Sequence, residues 1–298
     1  MRLSPAFASF ALAGKVPAAE EDRMSLTIRK VAGALGAEIS GVDLSQDLSD
    51  GVIREIRAAL VEHQVIFFRD QSLTPARQVA FGRRFGPLNI HPYVRSMDDH
   101  PEVMEIIKEP GDRTNFGGGW HSDMSFLERP AIGSILYALE LPDWGGDTLF
   151  SSQVAAYEAL SAGMKATLEG LRAVHSAGRE YSAQGHSARK RASMSVTEAE
   201  GAVGEYIHPV VLVHPESGRK ALYVNPAFTM RFEGWTKRES KPLLDFLFEH
   251  CRYEGYTCRF AWRSGSVAFW DNRQVWHFAL NDYPGQRRHM RRVTVDPA

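Results

Sequence analysis

An α+β domain with a closed β-core and helices laid around it is the fold class the sequence predicts. Strand-like runs stand at both ends of the chain and on both sides of two distinctive motifs, WHSDMSF and WDNRQVWHF. Helix-like segments lie between those runs. No Pro-, Gly- or Ser-rich linker divides the 298 residues, so the strands must share one core. The composition allows this: 44% of residues are apolar and 24% charged, an ordinary globular balance.

Taken in order, Leu26 to Arg29 reads as a short strand, followed by a stretch punctuated by Gly33, Gly36 and Gly41. Ser49 to His63 reads as a helix because Val52, Ile53, Ile56, Ala59 and Leu60 recur on one face. VIFF, residues 65–68, is a compact apolar run of the kind buried strands show. Thr74-Pro75 opens a helix, with Thr as N-cap and Pro in the first turn, that should end near Gly86-Pro87. Residues 102–107 read as a strand and 109–119, polar and glycine-rich, as a loop. Residues 120–126 and 133–139 read as strands, and 151–160 and 163–171 as helices. Residues 176–206 are polar and carry Arg189, Lys190 and Arg191, which fits a solvated insertion or a lid over a site. Thr236 and Glu239 form a capping box that opens a helix to about His250. Residues 257–263, 266–270 and 287–295 finish the chain as strands.

The formal net charge is -1, so no global field recruits nucleic acid or an anionic membrane, and a small-molecule partner is expected. The two cysteines, Cys251 and Cys258, read as buried thiols in a reduced, cytoplasmic setting. No apolar run is long enough to span a bilayer. The segment Met1 to Glu21 faintly resembles a signal peptide, but its apolar run is short and Lys15 follows it. Met24 stands just before the first strand, so residues 1–24 read as a disordered extension and 25–298 as a single domain.

His121 and Asp123 in WHSDMSF, with His277 in WDNRQVWHF, make a two-histidine, one-carboxylate set suited to non-haem Fe(II) with open coordination positions. If WHSDMSF is extended, His121 and Asp123 project from one strand face. His277 then has to come from a distant strand. His and Asp also suit Zn(II) in a hydrolase, and a barrel that senses a small acid is a further alternative.

The ensemble WHSDMSF, GSILYALELPDWGGDTLF and WDNRQVWHFALNDYPGQRRHMRR resembles the TauD/TfdA family of Fe(II)/2-oxoglutarate-dependent dioxygenases, from about Leu26 to Val295. The resemblance implies a double-stranded β-helix, or jelly-roll, core with flanking helices. It implies His121, Asp123 and His277 as iron ligands, and O2 and 2-oxoglutarate as co-substrates. Related halogenases carry a small residue where Asp123 stands, so the carboxylate points to oxygenation. Arg288, eleven positions after His277, matches the family arginine that pairs with the distal carboxylate of 2-oxoglutarate, a task suited to a planar guanidinium. Thr148 matches the threonine bonded to the same carboxylate. The zinc hydrolase reading leaves Arg288 and Thr148 unused, and the complete triad argues against the sensor.

Arg292 shares a strand face with Arg288 and matches an arginine that binds the substrate's anionic group. His91 matches a sulfonate-contacting histidine, and Phe228 an aromatic of the taurine pocket. Tyr93 and Phe116 are weaker candidates. The chain departs from taurine dioxygenases at FGGG, residues 116–119, where those enzymes carry polar side chains. The resemblance therefore implies a larger or more apolar anion than taurine: an alkyl sulfate ester, an alkyl sulfonate or an aryloxyalkanoate. Neutral or larger metabolites are the alternative, and dimers or tetramers are the expected assembly.

Overall fold

Alternation along VIFF shows how the core is built. All four residues are buried, but Val65 and Phe67 point into one hydrophobic cluster while Ile66 and Phe68 point into another. A strand buried on both faces must be covered on both. The structure, a computed structural model, describes residues 26–182 and 200–298.

The first half runs β1 (Thr27–Lys30), β2 (Ala37–Ser40), α1 (Asp50–His63), β3 (Val65–Phe68), α2 (Pro75–Arg83), β4 (Met104–Lys108), β5 (Gly133–Glu140) and β6 (Thr148–Ser152). Then come α3 (Gln153–Glu158), α4 (Ala162–Leu168), β7 (Arg172–Ser176), α5 (Gly178–Tyr181), β8 (Glu205–Pro209), β9 (Val211–Val213), β10 (Lys220–Leu222) and β11 (Thr229–Phe232). The chain closes with α6 (Lys237–His250), β12 (Thr257–Phe260), β13 (Val267–Asp271), β14 (Val275–Ala279) and β15 (Arg288–Val295).

A seven-stranded sheet in the order β1-β2-β3-β13-β5-β15-β4 is antiparallel except where β2 meets β3. Its outer face takes Ile66, Phe68, Ile135, Val267, Phe269 and Val293 against Ile53, Ile56, Ala59 and Leu60 of α1 and Val79 and Phe81 of α2. Its inner face takes Val65, Phe67, Leu136, Ala138, Ala268, Trp270 and Met290 against Phe150, Phe260 and Val275. Those three belong to a smaller sheet, β12-β6-β14. A third cluster joins α3 and α6 to Trp276.

Ser49 caps α1, Thr74 caps α2, and the capping box of Thr236 and Glu239 opens α6. The α2 helix stops at Arg83, short of Gly86, because the chain turns there with Arg84 N–H on the Phe81 carbonyl. Several expectations are corrected. Residues 120–126 form a single bridge residue followed by turns, not a strand. Ser151 and Ser152, expected to begin a helix, instead end β6, and Ser152 caps α3, which runs only to Glu158. Strands β7 to β11 and β14 had no strong alternation to announce them. The span 176–206 contains α5 and the start of β8; its central residues 183–199 and the extension 1–24 lie outside the described residues. Cys251 and Cys258 are buried thiols, and burial raises the pKa of Cys258 to about 12. Among the described residues no helix is long and apolar enough to cross a membrane.

Candidate active site

Strand β14 delivers His277, and a one-residue bridge sets His121 opposite it. The His121 N–H donates to the His277 carbonyl at 3.1 Å, and the His277 N–H donates back at 2.9 Å. Directly opposed residues in an antiparallel pair bring their side chains together, and the two imidazole centroids are 4.1 Å apart. Asp123 arrives by a different route from strand alternation. The chain turns after Ser122, whose hydroxyl donates to the carbonyls of Asn272 and Val275, and Met124 has a positive φ of 58°. That turn places Asp123 Oδ1 3.6 Å from His121 Nε2, and Oδ2 3.9 Å from His277 Nε2. The three donor atoms lie within 4.8 Å of one another and all three residues are buried.

The donor set is ready for a cation. His121 Nδ1 lies 2.7 Å from the Gly119 carbonyl, so it carries the ring proton and Nε2 presents a lone pair. Burial, with His121 close by, holds the His277 pKa well below its ordinary value, so that ring is neutral. Burial alone would raise the Asp123 pKa, but the Arg292 guanidinium beside it holds the carboxyl well below its usual range. Two imidazoles and one carboxylate fit a divalent ion.

Both Asp123 oxygens are fixed. Oδ1 accepts from Arg292 Nη1 at 2.9 Å, and Oδ2 accepts from the Ser134 hydroxyl at 2.8 Å. Asn272 Nδ2 in turn lies 3.2 Å from the Ser134 oxygen. Sequence reasoning missed Ser134 and Asn272. A serine inside the apolar run GSILYALE and the asparagine of WDNR were the available signals.

The co-substrate candidates converge one strand over. Thr148 sits on β6 two residues from Phe150, which pairs with His277, so the two share a face. Arg288, at the start of β15, is only 4% exposed, and its Nε and Nη2 are buried without a partner among the described residues. A buried cation without a counter-charge is unfavourable unless an anion joins it. The geometry therefore fits a carboxylate, the group that 2-oxoglutarate offers.

The substrate candidates ring the triad. Phe228 lies 6.4 Å from His121, centroid to centroid. Burial, then the nearby Arg292 charge, lowers the His91 pKa to about 3. His91 Nδ1 accepts the Tyr93 N–H at 3.1 Å, so the neutral ring keeps its proton on Nε2 as a donor. The Arg292 guanidinium carbon stands 5.9 Å from the Phe116 ring centroid. Tyr93 joins His91, Phe126 and Tyr181 in an aromatic cluster that reaches Phe228. Phe126 and Tyr181 had gone unnoticed in the sequence.

The glycines at 117–119 have reasons beyond an open pocket mouth. Gly117 has φ +74° and sits where a Cβ would stand 3.3 Å from the His121 ring; a Cβ at Gly118 would clash with Asn115 Oδ1 at 2.5 Å.

Beneath this turn, His175 is fully buried between Ser125 Oγ at 3.2 Å and Thr229 Oγ1 at 3.4 Å. Burial, with His208 close by, lowers its pKa from 6.5 to about 3. The folded state therefore holds the neutral form, while the unfolded chain takes up a proton near pH 6.5. The stabilisation is complete above that pH and is lost as the pH falls from about 6.5 towards 3, by up to ~1.4 kcal/mol per pH unit. Urea melts across that range should show a slope to which the buried His91 also contributes, and His175→Gln should make it shallower by up to ~1.4 kcal/mol per pH unit. An unchanged slope would mean that other groups set it.

The chain's likeness to known proteins points the same way. The model of the "Taurine catabolism dioxygenase TauD, TfdA family" matches residues 27–294. An alpha-ketoglutarate-dependent sulfate ester dioxygenase of Pseudomonas putida is 37% identical over 281 residues, 91% of this chain and 90% of that protein. An alkylsulfatase of Acinetobacter baylyi is 36% identical over 272 residues, 91% of this chain and 84% of that protein. The crystal structure of a taurine dioxygenase from Burkholderia xenovorans superposes with a TM-score of 0.76 at 37% identity, covering 92% of this chain and 90% of that one.

Proposed function

We infer what this site does from one premise: the chain belongs to the TauD/TfdA family of taurine catabolism dioxygenases. It is a non-haem iron dioxygenase that uses Fe(II), 2-oxoglutarate and O2. The fold is cupin-like. We read its two facing sheets as a double-stranded β-helix and residues 25–298 as one domain.

In this reading His121 Nε2, Asp123 and His277 Nε2 would hold the iron, leaving positions open for 2-oxoglutarate and O2. Together these groups supply the oxidising power to hydroxylate a C–H bond, with succinate and CO2 as co-products. The chain's own residues supply placement. Arg288 and Thr148 hold the distal carboxylate of 2-oxoglutarate. Ser134 and Arg292 fix the Asp123 carboxylate. Arg292 and His91 receive an anionic substrate, and Phe228 walls its apolar part.

The substrate we propose is an organic sulfate ester, as in the names of the two curated relatives. The observation that carries it is the pair of donors beside the triad. Arg292 spends Nη1 on Asp123 but keeps a buried Nε without a partner among the described residues. His91 offers Nε2–H close enough to feel the Arg292 charge. One cation and one neutral donor suit a sulfate head with several acceptor oxygens. Hydroxylation of the carbon that bears the ester oxygen gives R–CH(OH)–OSO3⁻. Collapse of that product breaks the C–O bond to sulfate and leaves an aldehyde.

The test is succinate formation by the Fe(II)-loaded protein with sulfate esters, sulfonates, aryloxyalkanoates and neutral analogues. Sulfate esters are expected to stimulate turnover most, with stoichiometric sulfate release. His91→Ala should raise KM for the ester by about 10-fold, the scale of a lost hydrogen bond to a charged group. Equal stimulation by neutral analogues would remove the anion site from this reading.

A further inference from the structure

Trp262 lies two residues beyond the end of β12. That strand pairs with β6 so that Phe260 faces Thr148. The indole reaches back and its Nε1–H donates to Thr148 Oγ1 at 2.9 Å. An indole nitrogen can only donate, so the direction of this bond is fixed. The Thr148 hydroxyl is therefore the acceptor, and its own proton must point elsewhere. Among the described residues no group takes it, although Thr148 is only 2% exposed.

The Arg288 guanidinium carbon stands 5.9 Å from the Trp262 ring centroid. Its unpartnered Nε and Nη2 lie in the same buried corner. The indole is itself braced: Phe260 meets it edge-on at 4.8 Å, and Phe260 stacks on Phe67 at 4.0 Å.

From this geometry we propose that Trp262 is a positioning residue for 2-oxoglutarate: by occupying the acceptor side of the Thr148 hydroxyl, it turns the hydroxyl proton towards the carboxylate that Arg288 binds. A threonine hydroxyl rotates freely when unpinned, and a hydroxyl that donates into the wrong direction does not stabilise an anion. Trp262 removes that freedom before the co-substrate arrives. The proposal rests on the reading that Arg288 and Thr148 hold the distal carboxylate.

The experiment uses the full-length protein loaded with Zn(II), which cannot turn over, and N-oxalylglycine as the unreactive isostere of 2-oxoglutarate. Calorimetric Kd values are measured for wild type, Trp262→Phe, Thr148→Val and the double variant. Trp262→Phe keeps a six-membered aromatic ring in the corner and deletes the five-membered ring with its N–H, and the Thr148→Val background separates the lost bond from the lost packing. It is expected to weaken N-oxalylglycine by about 5-fold, the scale of one neutral hydrogen bond, and to add nothing once Thr148 is valine. In Fe(II) turnover it should raise KM for 2-oxoglutarate by a similar factor and leave kcat unchanged.

Unchanged binding in Trp262→Phe, with Thr148→Val weakened, overturns the role of Trp262 and leaves that of Thr148. Equal weakening with and without the hydroxyl means that the ring acts by packing, and overturns it too. No effect of Thr148→Val removes the carboxylate reading and the proposal with it. Should Trp262→Phe not fold, the indole N–H resonance of Trp262 decides. It should shift when N-oxalylglycine binds to the wild type and stay still in Thr148→Val at saturating ligand. A shift of equal size in both would overturn the proposal.

Discussion

Asp123→Ala is expected to remove substrate-coupled succinate formation and, independently, to destabilise the metal-free protein by about 3–5 kcal/mol. The second effect follows from Arg292. Its side chain is 4% exposed and that of Asp123 5%, with 2.9 Å between Nη1 and Oδ1. Truncating the carboxylate strands a buried guanidinium beside the Phe116 ring and removes the acceptor of the Ser134 hydroxyl. Losing one member of a buried pair is severe because the other's desolvation is no longer offset. Replacing both members with apolar groups, as Asp123→Ala with Arg292→Leu, should recover much of the stability and none of the activity. Urea unfolding of metal-free protein measures the loss of stability, and equilibrium dialysis of Fe(II) with a succinate assay measures the loss of activity. If Asp123→Ala unfolds at the wild-type urea concentration, or the double variant is no more stable than the single one, the pair does not stabilise the fold.

What could be read in the sequence follows from which interactions are local. The α6 capping box, the Ser49 and Thr74 caps and the VIFF strand are written in residues within a few positions of each other, and all stand where expected. The same holds for the shared face of Arg288 and Arg292 on β15. His121, Asp123 and His277 do converge, but not as strand alternation had it. The turn through Met124 depends on Ser122 reaching two carbonyls some 150 positions away, which no local pattern encodes. Strands β7 to β11 were missed for a related reason. They are short, and β8 exposes four of its five residues, so neither period nor burial marks them. Trp262, Ser134 and Asn272 act through single bonds to residues 114, 11 and 138 positions away in sequence, and were invisible until the fold existed.

Arg288→Met should move the same urea measurement the opposite way. Arg292 has its counter-charge in direct contact, whereas Arg288 makes no ion pair among the described residues, feels Asp147 only at a distance and keeps Nε and Nη2 unpartnered. Burial accordingly lowers its pKa. A methionine of similar length removes an uncompensated buried cation, so the ligand-free protein should gain about 1–3 kcal/mol. Function should suffer in proportion to the anion it no longer binds. Loss of a buried charge-assisted contact is worth about 2–5 kcal/mol, which raises KM for 2-oxoglutarate about 30-fold to several thousand-fold. Adding 2-oxoglutarate at about 100 times its wild-type Kd should stabilise wild-type protein by ~2.7 kcal/mol and leave Arg288→Met where it was. A variant that is less stable than wild type without ligand would show that the fold itself satisfies Arg288, and the co-substrate assignment would then have to move to another cation. Opposed signs would separate two arginines four residues apart on one strand: Arg292, whose counter-charge the fold supplies, and Arg288, which in the proposed reading takes its counter-charge from the ligand.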